Sequence, residues 1–289
     1  MDFSYLGFGL GIRTEYYDHY LDSKPLGIDW GEVISENFLP LSNGKHVRAL
    51  QRLEKIRSHI PVVLHGVSMS LGSATSLDKS YLKRLKELIK IIDPPHVSDH
   101  LCWTNIGGEN SHDLLPLPFT KDVVKNIVSK ILYVQDFLGR KILVENVSAY
   151  LEFEQSEMTE WEFVSEILER SGCGMLLDVN NVYVSSLNQK FNPIDYLKAI
   201  PSHKIGQIHL AGHTNKGHYC VDTHDEPICK EVFKLYEWVV KNKGTFSTMV
   251  ERDDNFPSWE ELNQELGVVK NIWKKQNAKQ EFREVTATL

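Results

Sequence analysis

The twenty residues from Gln207 to Glu226, QIHLAGHTNKGHYCVDTHDE, hold His209, His213, His218, Asp222, His224, Asp225 and Glu226. The apolar lead-in of Ile205, Ile208 and Leu210 reads as a strand, and the polar groups follow where that strand would stop. Asp222-Thr-His224 has period two, so extended chain turns both side chains to one side. A carboxylate and an imidazole aimed at one point make half of a site for iron, manganese or zinc. The same stretch, taken alone, reads equally well as a polar surface loop with locally bonded histidines.

Similar groups recur at the ends of other apolar runs. His65 follows PVVL, His100 closes HVSDH, and Glu145 ends KILVE. Asp178 ends GMLLD with Asn181 shortly after it, and Glu251 ends FSTMVE. Arg13 closes LGFGLGI, Glu36 and Asn37 end GEVISENFL, and Asp99 and Arg252 stand next to His100 and Glu251. Each has a plain structural role open to it: His65 and His100 as core histidines on a carbonyl, Glu145 and Glu251 in buried ion pairs, Asp178 as a turn cap. Together they say more. Carboxylates gathered at one place repel one another unless cations lie between them. Nine candidates (His65, His100, Glu145, Asp178, Asn181, His209, Asp222, His224 and Glu251) exceed the needs of one ion. Two or three metals with a bridging carboxylate are expected.

Eight apolar segments supply the positions: Leu6–Ile12, Gly31–Leu39, Pro61–Leu64, HVSDHLCW, Lys141–Glu145, Gly174–Asp178, Ile205–Leu210 and Phe246–Glu251. Helical periodicity separates them, as in Tyr81–Ile92, which Pro94-Pro95 stops, and Val123–Leu138. Ser258-x-x-Glu261 is a capping box that opens the last helix. Strands alternating with helices imply a parallel sheet, and eight such units over this length predict a (β/α)8 TIM barrel, in which the strand ends form one ring. A doubly wound open sheet would not explain polar residues at nearly every strand end. LGFGLGI lacks the spacing of a dinucleotide loop. The expected organisation is a single domain over residues 1–275 and a charged tail over 276–289.

The 289 residues are 42% hydrophobic and 25% charged, an ordinary globular composition. A net charge of -7 argues against nonspecific nucleic-acid binding. No apolar run approaches a membrane span, and the first residues show no signal-peptide pattern. Cys102, Cys173, Cys220 and Cys229 form no C-x-x-C pair, so they are expected reduced and the protein cytoplasmic.

The runs VVLHG, VSDHL, LVENVSAY, LLDVNNVYV, IHLAGH, VDTHDEP and MVERD resemble those of the multinuclear non-heme iron-dependent oxidative enzymes, the family of the methanobactin-biosynthesis oxidase, from Leu6 to Trp259. The resemblance implies a xylose isomerase-like barrel with two or three irons of mixed Fe(II)/Fe(III) state and dioxygen as co-substrate. It further implies oxidation of cysteines in a ribosomally synthesised precursor peptide, helped by a small partner protein. By motif, His65, His100, Glu145, Asp178, His209, Asp222, His224 and Glu251 correspond to iron ligands, with Glu145 as the bridge. Asn181 stands where the methanobactin oxidase has a histidine, which implies a more weakly held third ion. Glu145, Asp99, Arg13 and Glu36 are the candidate catalytic or orienting groups, with Asn37, Asn146 and Arg252 beside them. Trp103 and residues 107–118 are candidates for a peptide groove. Two readings compete: a zinc- or other divalent-metal isomerase or phosphodiesterase on the same barrel, and a non-catalytic metal- or peptide-binding barrel. The histidines disfavour magnesium, but ligand type alone does not separate zinc from iron.

Overall fold

The computed structural model describes residues 3–287 except 22–24, 26, 42–44, 46 and 107–108. Its centre is a closed barrel of eight parallel strands: β1 Phe8–Gly11, β2 Trp30–Ile34, β3 Val62–Gly66, β4 Val97–His100, β5 Leu143–Glu145, β6 Gly174–Asp178, β7 Ile205–Leu210 and β8 Ser247–Val250. Each strand pairs with its neighbour in sequence, and β8 closes on β1. The expected (β/α)8 barrel is thus the fold.

The strands are buried on both faces, as a parallel sheet covered by helices requires. Alternation divides them. In β7, Ile208 and Leu210 pack into the main apolar core, while Gln207 and His209 meet Glu32 of β2 across the barrel. Lower in the barrel Trp30, Val63 and Met249 form a separate small cluster. Gly9 makes room for it, because a Cβ there would lie 2.5 Å from the Trp30 ring. The glycines of LGFGLGI therefore serve packing.

The outer layer is built from α1 Tyr17–Leu21, α2 Arg48–Arg57, α3 Lys79–Ile92, α4 Lys121–Leu138, α5 Glu160–Ser171, α6 Val179–Gln189, α7 Pro193–Ala199, α8 Lys230–Lys243 and α9 Trp259–Ala287. Among the described residues no helix is long and apolar enough to cross a membrane.

Three expectations need correction. The second strand stops at Ile34, and Ser35–Phe38 is a 3-10 turn. That turn sets Glu36 Oε1 against two donors, Val67 N at 3.0 Å and the Tyr81 hydroxyl at 2.9 Å. The stretch after Asp178 is helix α6, with Asp178 as its N-cap. Trp103–Ile106 and Glu109–Leu115 form an antiparallel hairpin where a loop was expected; Gly107 and Gly108 lie outside the described residues. Helix α9 runs from Trp259 to Ala287, across residue 276. There Gln276 donates to Glu237 of α8 at 2.5 Å, so the helix stays docked past that point.

One outer-layer residue sits against elementary rules. Glu160, the first residue of α5, is 8% exposed. Its Oε1 accepts from the Tyr196 hydroxyl at 3.1 Å, and its Oε2 has no partner. Burial pushes its carboxyl up to about 7. A folded-state value above the unfolded one means that folding opposes ionisation, so stability is lost as pH rises from the ordinary glutamate range through about 7. Glu160→Gln is therefore expected to stabilise the protein by about 3 kcal/mol at pH 8 and by less than about 1 kcal/mol at pH 5. Urea unfolding at the two pH values measures this. A gain independent of pH would show that ionisation of Glu160 is not its source.

Candidate metal centre

His65, His100, Glu145, Asp178 and His209 are the last or next-to-last polar positions of β3 to β7, and Glu251 follows β8 by one residue. Strand register levels them. His100 is opposite Glu145, and Asp178 is opposite His209. The loop between β7 and α8 brings in Asp222 and His224 behind a short hairpin of Thr214–Asn215 and Cys220–Val221.

The Glu145 carboxylate lies at the middle. Its Oε2 is 3.1 Å from His65 Nε2 and 3.4 Å from His100 Nε2, and its Oε1 is 3.8 Å from His209 Nδ1. Glu251 Oε2 is 2.9 Å from His209 Nδ1 and 3.5 Å from His224 Nδ1. Ligand atoms lie within 4.8 Å of one another in four triads: His65, His100 and Glu145; Glu145, Asp178 and His209; Asp178, His224 and Glu251; and Glu32, His209 and Glu251. Glu145 belongs to two triads, and its two oxygens face different histidines. Asp178, His209 and Glu251 are shared as well.

Cation binding is tested by what the buried atoms lack. Glu145 Oε2, Asp178 Oδ2, Asn181 Oδ1, His209 Nδ1 and His224 Nε2 are buried without a hydrogen-bond partner. His209 Nδ1 and His224 Nε2 lie 2.9 Å and 2.7 Å from carboxylate oxygens of Glu251 and Asp222. One such atom costs about 1–3 kcal/mol, and a bound cation would satisfy several of the five at once. The other polar atoms of these side chains are tied down. His65 Nδ1 is 2.8 Å from Ser98 Oγ, and His100 Nδ1 donates to Gly66 O at 3.0 Å. Asn181 Nδ2 donates to Asn146 O at 3.0 Å, and Asp178 Oδ1 accepts from Asn181 N at 2.6 Å. Fixing one atom and leaving the other open is how a protein orients metal ligands. The donor set suits a transition metal.

Electrostatics agree. Burial pushes Glu145 well above the carboxylate range and Asp178 up to about 7. Burial also holds His65 well below its ordinary value and His100 at about 4, both neutral at pH 7 and able to bind a cation. For His209 burial acts the same way, but Glu32 and Glu251 outweigh it and raise the imidazole. A metal ion would relieve both the crowded carboxylates and the proton on His209.

The remaining expected residues divide. Asp222 Oδ1 is 2.7 Å from His224 Nε2 and accepts from Asn180 Nδ2 at 2.7 Å, so it stands beside the centre but in none of the four triads. His213 bonds Asn180 Oδ1 at 2.9 Å. Asp99 accepts from Met69 N at 3.1 Å and His100 N at 2.8 Å, bracing the backbone behind the ligands. Glu36 is bound to Val67 and Tyr81 nearby. Arg13 pairs with Asp253 and lies 3.5 Å from Glu251, and Trp103 donates to Pro116 O at 2.9 Å within the rim hairpin. The cavity above the ligands is about 200 Å³; Asp113, Leu114, Val147, Ser148 and Tyr150 line it, whereas Arg13, Glu36 and Asp99 do not.

Glu32 escaped the sequence reading. Its Oε1 is 3.0 Å from His209 Nε2, and its Oε2 accepts from Gln207 Nε2 at 2.6 Å. It sits mid-strand in WGEVI and not at an end; the signal available was a lone charge inside an apolar run. Glu32→Gln is expected to weaken metal binding by on the order of 10–100-fold, measured by competition with a chelator. Unchanged affinity would make Glu32 a packing residue.

Comparison with known proteins extends this geometry. The model of a family described as RiPP precursor modification enzyme MbnB/TglH/ChrH matches residues 7–274. A UPF0276 protein of Anaeromyxobacter sp. (strain Fw109-5) is 49% identical over 260 residues, 90% of this chain and 90% of the relative. A xylose isomerase domain containing protein of Salmonella typhimurium LT2 aligns with TM-score 0.62 at 15% identity, covering 94% of this chain and 99% of that one. Endonuclease IV from Thermus thermophilus aligns with TM-score 0.60 at 14% identity over 94% of this chain and 100% of its own. At these identities the two structures speak for the barrel alone.

Proposed function

Because the chain belongs to the RiPP precursor modification enzyme family MbnB/TglH/ChrH, we propose that it oxidises a cysteine of a ribosomally synthesised precursor peptide, using dioxygen at a centre of two or three iron ions. The observation that supports this is the gathering of ligand-type side chains at the strand ends, of which Glu145, Asn181 and His224 carry buried atoms without a hydrogen-bond partner and line one small cavity. His65, His100 and Glu145 would hold one ion, and Asp178, His209, His224 and Glu251, which fall into overlapping triads, would hold the next, with Glu145 available to both. Asn181 Oδ1 and Asp222 offer a weaker third position. Bound iron would supply dioxygen activation and a coordination position for the substrate thiolate, a soft ligand that oxygen and imidazole donors leave room for.

The chain's own groups do the rest. Ser98 and the Gly66 carbonyl fix the two imidazoles, and Glu32 orients His209. Arg13, between Glu251 and Asp253, balances the carboxylates on the open side. A cavity of about 200 Å³ admits one side chain, so the peptide backbone lies along the rim formed by the Trp103–Leu115 hairpin and Tyr150. A small partner protein presenting the peptide at this rim belongs to the same proposal.

The test uses protein loaded with ferrous ion under anaerobic conditions and short Cys-containing peptides encoded next to its gene. The cognate peptide should perturb the iron absorption and Mössbauer spectra, its Cys→Ser version should not, and oxygen should then change the peptide mass. A full zinc complement with no gain of activity on adding ferrous ion would overturn the iron assignment. Turnover of a sugar phosphate with every peptide inert would overturn the peptide assignment and favour the isomerase or phosphodiesterase reading.

A further inference from the structure

A second cavity of about 650 Å³ opens next to the metal centre, and Val147 lines both. Its wall draws on residues from Leu101 to Phe191 and includes Asn146, one residue after Glu145, and the start of α5. Leu117, Phe119, Phe153, Trp161 and Phe191 make it apolar. Glu152, Glu154, Glu157, Glu160 and Glu162 also line it, and among the described residues no Lys or Arg does. Among the described residues none of these five glutamates forms an ion pair. One of them, Glu160, is 8% exposed and its Oε2 has no hydrogen-bond partner.

We infer that this cavity is a specificity subsite for a basic side chain, lysine or arginine, of the same peptide whose cysteine enters the metal centre. The inference rests on the peptide reading above. A long aliphatic stem fits apolar walls while its cationic head seeks acceptors, and Trp161 offers a face for the cation. The glutamates supply those acceptors, and Glu160 Oε2 is the one with nothing else to bond. Burial pushes the Glu160 carboxyl up, which a neighbouring cation would reverse. The shared wall at Val147 puts the subsite within a few residues of extended chain from the metal-bound cysteine.

The experiment uses the full-length chain with its metals, kept anaerobic. The probes are N-acetylated Gly/Ser dodecapeptides with one Ser in place of the cysteine and one Arg at varied spacing, together with Gln and Glu counterparts. Tryptophan fluorescence reads binding, and Trp161→Phe identifies the signal that comes from this cavity. At least one Arg peptide is expected to bind tenfold or more tighter than its Gln counterpart, and Glu160→Gln combined with Glu154→Gln should reduce that preference to below threefold. Equal binding of Arg, Gln and Glu peptides, or a preference that survives the double substitution, overturns the subsite. Since these peptides carry no thiol, the outcome is independent of whether iron oxidises cysteine. Loss of the oxidation reading and loss of the subsite are therefore separate results.

Discussion

Glu145→Ala is expected to lower metal content by more than one ion per chain and to abolish turnover, whereas His224→Ala lowers it by about one. The difference follows from the oxygens. Oε2 of Glu145 faces His65 and His100, and Oε1 faces His209. Truncation removes a donor from two triads at once and leaves the first with two imidazoles. His224 belongs to a single triad. Iron analysis after anaerobic loading, with circular dichroism to confirm folding, measures both. Wild-type metal content in Glu145→Ala would end the bridging assignment.

Asp178→Asn is expected to act in opposite directions with and without metal. Asp178 has two jobs on two oxygens. Oδ1 caps α6 through Asn181 N, and Oδ2 is buried without a partner. Asparagine keeps an acceptor for the cap, a contact worth about 1 kcal/mol, and removes a carboxylate that burial disfavours. The chelated variant should therefore melt at or above the temperature of the chelated wild type. With metal the order reverses, because an ion present at a thousandfold its Kd contributes about 4 kcal/mol, and losing it lowers Tm by roughly 10 °C. Asp178→Ala, which also loses the cap, should be destabilised in both states. Calorimetry with and without chelator separates these outcomes. An equal fall for Asp178→Asn in both would make Asp178 a cap and nothing more.

The barrel was legible because each strand is an apolar run with a polar stop, and a parallel sheet buried on both faces leaves that mark. The candidate ligands could be named for the same reason, since they are the stops. Glu32 was not, because it lies inside its run, where only the three-dimensional meeting with His209 and Gln207 distinguishes it. Helix α6 hid because Asn180, Asn181, Ser185 and Ser186 are buried along with its valines, which erases the apolar period. The Glu36 turn hid because its hydrogen bonds reach to Val67 and Tyr81, far along the chain. The Glu160 cavity draws its walls from separate elements, from Leu101 to Phe191, and no local pattern announces it.

The pairing of His100 with Glu145 and of Asp178 with His209 also constrains how such a chain can diverge. Side chains in a strand alternate, so one residue gained or lost within β4 or β7 ahead of the ligand swings the imidazole out into the helix layer. Insertions and deletions in these strands are thereby closed to the lineage. The two rim hairpins, Trp103–Ile106 with Glu109–Leu115 and Thr214–Asn215 with Cys220–Val221, carry no such phase. Length changes there reshape the entrance and leave the ligand layer in step, so new substrates are reached by altering the rim.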